Sequence, residues 1–177
     1  MWARISKTIH LSRGERGRAM AYAGLMAVSA GITLKIMSSL EGANAIPPEP
    51  TYYDNWAVIA GAFSAGISLF LLRKWMGQPG VVGLLRASLG GLMIAFLAAF
   101  IAGTLIAPIQ GSIMGPALLI VTFMSHAWLA VAWMTVALAA HFLLIVWANE
   151  RAMIDHRAVS QLSRLSQLNL YGRRLRH

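Results

Sequence analysis

The chain has 177 residues, 58% of them hydrophobic and 12% charged, with a mean hydropathy of +0.63. Ordinary soluble domains carry about 25% charged residues, so this composition makes the bilayer the expected solvent. The absence of cysteine excludes disulfides, iron–sulfur clusters, thiolate zinc sites and thiol nucleophiles. The net charge of +9 does not imply nucleic acid, because the cations crowd the chain ends and one short loop, beside apolar segments. Anionic lipid headgroups lie at such places.

Residues 1–18 form a basic segment in which Trp2, Ile5 and Ile9 recur at helical spacing beside Arg4 and Lys7. Ser12 and Glu15 have the spacing of a capping box, which predicts a helix starting before the membrane. A spanning helix needs about 20 apolar residues, and residues 19–40 supply the first. The basic start and the "ANA" before Ile46 also fit a cleavable signal peptide, but the length of both parts favours a retained helix. Pro47, Pro48 and Pro50 predict an extended outer loop. Tyr52, Tyr53 and Trp56 follow as an aromatic belt would at the outer headgroups.

The second span is residues 56–72, closed by Arg73 and Lys74 at the headgroups. The third has its apolar part at 87–108 and carries small residues every four positions: Ala87, Gly91, Ala95, Ala99 and Gly103. Helices in lipid associate through close backbone approach at such residues, so this ladder is a packing face. Shorter patterns recur at Ala23, Ala27 and Gly31, and at Ala57, Gly61 and Ala65. Packing within the chain is the expected use; docking against another subunit is the alternative. The uncharged stretch "IQGSIMG" reads as a loop.

The fourth segment, residues 116–148, would extend ~50 Å as one helix, which predicts a tilted span projecting beyond the bilayer. Residues 149–177 continue as a basic amphipathic helix, with Ala158, Leu162, Leu165 and Leu168 on one face and Arg173 and Arg174 at the headgroups. Glu150, Asp155 and His156 read as a solvated helix end paired with Arg151 and Arg157. Fourteen of the fifteen Lys and Arg residues fall on one side of this arrangement, Lys35 being the exception. The bias predicts a bundle in a bacterial-type inner membrane with both termini cytoplasmic.

No Asp or Glu lies inside any span, so a carboxylate relay, a hard-cation site and a serine–histidine–acid set are not expected there. His126 and His141 are the ionisable groups left at depth. On one helix they would sit near one face, but ~22 Å apart along it, too far to share a metal. The stretch "ALAAHFLLIVW" is similar to the bacteriochlorophyll-binding segment of bacterial light-harvesting beta polypeptides, with Ala four residues before the histidine and Trp six after it. That resemblance covers 11 residues and implies His141 as an axial ligand. The chain departs from that family in its several spans and in the direction of this helix. Haem or bacteriochlorophyll at His126 or His141 is therefore the second alternative, behind neutral imidazoles packed between helices.

The expected fold is an all-α membrane bundle of four spanning helices with basic amphipathic ends. The expected function is that of a non-enzymatic accessory, scaffolding or assembly subunit, partnered by lipids and other membrane subunits and by no nucleic acid. A small transporter or channel is the first alternative, for which Ser64, Ser68, Ser88, Thr104, Thr122 and Thr135, with the two histidines, are the available polar lining.

Overall fold

A computed structural model describes residues 12–40 and 52–174, with the side chains of 155–174 left aside. The described chain is all-α: α1 (Arg13–Leu40), α2 (Tyr52–Leu72), a 3-10 turn (Arg73–Trp75), α3 (Val81–Ile106), α4 (Gln110–Ser125) and α5 (Ala127–Arg174). Four of its helices are long and apolar enough to cross a membrane: Arg13–Leu40, Tyr52–Trp75, Val81–Ile106 and Ala127–Ile154. The chain is a multi-pass membrane protein. Residues 1–11, with Arg4 and Lys7, and the proline loop 41–51 lie outside the described residues.

Helix α1 begins where the capping box places it. The Glu15 amide donates to Ser12 Oγ at 3.1 Å, and the Ser12 amide donates back to a Glu15 carboxylate oxygen at 2.9 Å. The helices α1, α2, α3 and α5 form an antiparallel ring, each packed on the next and α5 closing on α1. Small residues set their spacing. At Gly61 on α2 an added Cβ would lie 3.1 Å from Thr33 Cβ of α1, and beside this point Ser29 Oγ donates to the Gly61 carbonyl at 2.8 Å. Gly17 meets Leu143 of α5, and Gly24 meets Val136. Thus the Arg13 end of α1, the turn after α2 and the Glu150 region of α5 share one basic end.

The expectation for the fourth segment fails. The fourth segment is not one helix from 116 to 148. It is divided at His126, whose φ of −134° and ψ of 71° end α4, while α5 starts at Ala127. The supposed loop "IQGSIMG" is largely the first two turns of α4. No proline or glycine marks the break, so no sequence signal announced it. The reversal from α3 into α4 is instead abrupt. Pro108 stops α3, and the Gln110 amide donates to the Pro108 carbonyl at 2.9 Å across Ile109. Ile109 has φ 70° and ψ −63°, a strained γ-turn for a β-branched residue, costing about 1–3 kcal/mol. Close pairing of α3 with α4 offsets that strain. A Cβ at Gly103 would lie 1.9 Å from the Gly111 carbonyl oxygen, and one at Gly115 would lie 2.3 Å from that of Ala99.

Beyond the break, α5 runs unbroken for 48 residues, or ~72 Å. The expected C-terminal helix continues the last span without a break as far as Arg174.

Candidate functional site

Between α1, α3 and α4, at the end away from the basic turn, lies a cavity of about 270 Å³. Its deep end is formed by Ser29, Ala95, Leu119 and Trp133, and its mouth by Leu40, Tyr53, Ala107 and Gln110. It exists because α1 and α4 barely touch while each packs closely on other helices. Alanines and glycines of α3 form one wall, and methionine and aliphatic side chains of α1 and α4 form the others.

The polar groups along the deep walls are turned away and satisfied. Ser29 Oγ is committed to Gly61, and Thr33 Oγ1 donates to the Ser29 carbonyl at 3.0 Å. Trp133, only 2% exposed, donates from Nε1 to the Gly91 carbonyl at 3.0 Å. The interior therefore presents hydrocarbon, and polar side chains recur only at the mouth. Trp56, one turn along α2 from Tyr53, donates to the Leu105 carbonyl at 3.3 Å, which ties the aromatic belt to the end of α3.

The expected packing ladder is used inside the chain, by several neighbours in turn. Ala87 and Ala95 are buried; Gly91 faces Ala137 of α5, and Ala99 and Gly103 face α4. Sequence reasoning missed the other half of the α3–α4 contact. The signal was present as Gly111 and Gly115, a small-xxx-small pair inside the stretch read as a loop.

The histidines are not equivalent. His141 is 1% exposed, and its Nδ1 accepts the Gly77 amide at 3.0 Å. That nitrogen thus carries no proton, and the ring docks the loop after α2 onto α5. Gly77 has φ 78°, and a Cβ there would come 3.2 Å from Leu144 Cβ, so a glycine is needed on both counts. His126 sits at the helix break, half-buried, with Nδ1 enclosed and unpartnered. The one-helix geometry expected for the pair does not apply, since His126 caps α4 and His141 lies in α5. Neither ring lines the cavity.

The polar residues considered for a path do not converge. Ser64 and Ser68 are buried but donate to carbonyls of their own helix, at 2.6 and 2.7 Å. Ser88 and Thr135 do the same from exposed positions, and Thr104 also reaches Ser112 at 3.1 Å. At the basic end, Arg73 and Lys74 are exposed, as headgroup contacts require, with the Arg73 guanidinium 4.7 Å from the Phe70 ring. Arg173 and Arg174 end α5, and their side chains, like those of Asp155 and His156, lie outside the described ones.

Glu150 differs from its expected role. Rather than serving a solvated helix end, its carboxylate accepts Ser12 Oγ at 3.2 Å and the Gly14 amide, capping α1 from α5. Beside it, Arg18 and Arg151 lie 5.1 and 4.9 Å from the Trp147 ring. No group of three or more His, Cys, Asp or Glu side chains fit to hold a metal occurs among the described residues. Compared with protein-family models, curated proteins and solved structures, the chain matches none.

Proposed function

We propose that this protein is a non-catalytic accessory or scaffolding subunit of a larger membrane complex. The observation that carries the reading is α5, which continues from the last span as one helix for 20 residues past Ile154, about 30 Å. A bundle that only had to span would gain nothing from an arm of that length. Joined to the bundle without a break, the arm offers a fixed docking surface to another protein. The basic residues on it and on the turn after α2 support an inner-membrane placement with this end cytoplasmic.

Affinity purification of the tagged chain from native membranes tests the proposal. A stoichiometric partner should co-purify with the full chain and be lost on deletion of residues 155–177, while the remaining bundle keeps its thermal stability. Recovery of the full chain as a lone monomer would overturn it. Orientation is tested with single cysteines placed at Lys74 and Ile109, both exposed. Only the first should be shielded from an impermeant maleimide added outside the cell.

A further inference from the structure

We infer that the cavity between α1, α3 and α4 is a lipid site that holds one acyl chain of a bilayer phospholipid, its headgroup at Gln110 and Tyr53. This goes beyond the accessory reading and does not depend on it.

Four observations converge. First, the lining runs along α3 from Ala95 to Ala107, ~18 Å at 1.5 Å per residue. One leaflet contributes ~15 Å to the hydrocarbon core, so the cavity is about as deep as a chain is long. Second, its polarity changes in the sense of an amphiphile. Ser29, Thr33 and Trp133 spend their donors on helix carbonyls, leaving an apolar interior, whereas Gln110 and Tyr53 stand at the mouth. Third, Tyr53 belongs with Tyr52 and Trp56 to an exposed aromatic cluster, the residue types that mark headgroup level. Fourth, the gap lies between α1 and α4, which barely touch, so a chain can enter sideways from the bilayer.

Size and medium select the occupant. Apolar cavities stay free of water, and one of about 150 Å³ already takes a benzene-sized hydrocarbon. At about 270 Å³ this one is larger, and it is immersed in lipid, so alkyl chains are the hydrocarbons at hand. Filling the space restores the dispersion contacts that an empty wall lacks.

The test uses the full chain in phospholipid vesicles containing a phosphatidylcholine with a photoactivatable diazirine midway along one acyl chain. After irradiation, the labelled residues are mapped by mass spectrometry. Label is expected on Ala98, Ala102 and Leu118 inside the cavity, as well as on the outward Ile120 and Val121. In Ala102→Phe, which fills the space, label inside should fall at least about tenfold, equivalent to about 1.4 kcal/mol of lost affinity, while outward label is unchanged. Ile36→Trp fills the same space from α1 and serves if the first variant does not fold. Label confined to outward residues, or interior label that survives both filled variants, would overturn the inference.

Discussion

The α3–α4 hairpin makes the sharpest quantitative demand on the structure. In Gly103→Ala the new methyl would sit 1.9 Å from the Gly111 carbonyl oxygen and 2.6 Å from its carbon, and both obstacles are backbone. Restoring van der Waals contact requires the helices to part by roughly 1.5–2 Å. That separation forfeits packing around Ala99, Gly111 and Gly115 as well. Overpacking of this kind costs about 1–3 kcal/mol, and the upper half of that range is expected because no side chain can swing aside. Gly31→Ala on α1 is the matched control. Nothing lies within 4 Å of a Cβ there, so removing a mid-helix glycine should be neutral or stabilising by about 0.5–1 kcal/mol. Reversible unfolding in mixed micelles measures both. The cysteine-free chain allows a second readout. Thr104 Oγ1 and Ser112 Oγ lie 3.1 Å apart, so a Thr104→Cys/Ser112→Cys pair should oxidise to a disulfide, and do so less readily with Gly103→Ala. Equal stabilities for the two glycine variants, or a disulfide indifferent to Gly103, would refute the close pairing.

Four further variants probe the other junctions. Trp133→Phe removes the donor to Gly91 together with the five-membered ring of the buried indole, and should cost more than the ~0.5–1.5 kcal/mol of the hydrogen bond alone in the same unfolding assay. His141→Phe leaves the Gly77 amide without its acceptor, which should cost about 1–3 kcal/mol. His141→Gln, retaining an acceptor, should lose less, and a larger loss for Gln than for Phe would mean that ring packing rather than the hydrogen bond matters. Glu150→Ala uncaps α1 and should cost about 1 kcal/mol, seen as faster hydrogen exchange in the first turn of α1, with the Ser12–Glu15 cap still in place.

What could be read from the sequence follows the range of each signal. The spans were legible because burial in lipid imposes a length on a continuous apolar run, and the start of α1 because a capping box is local. The break at His126 was not, since apolar residues flank it on both sides and no helix breaker marks it. The contacts of Glu150 and His141 were not legible for a different reason. Their partners, Ser12, Gly14 and Gly77, are 64 to 138 residues distant, and nothing in the local pattern pairs them. The cavity was beyond sequence reasoning altogether, because it comes from two helices failing to meet.

The continuity of α5 has a mechanical corollary. Helices bend sharply at prolines, glycine or serine pairs, or bulges, and α5 contains no proline. Its far segment is therefore a lever on the same shaft as Trp133, which closes the cavity floor. Were a partner to grip the arm, torque on it would reach that indole along one continuous helix, and so would couple the grip to the space beside Trp133.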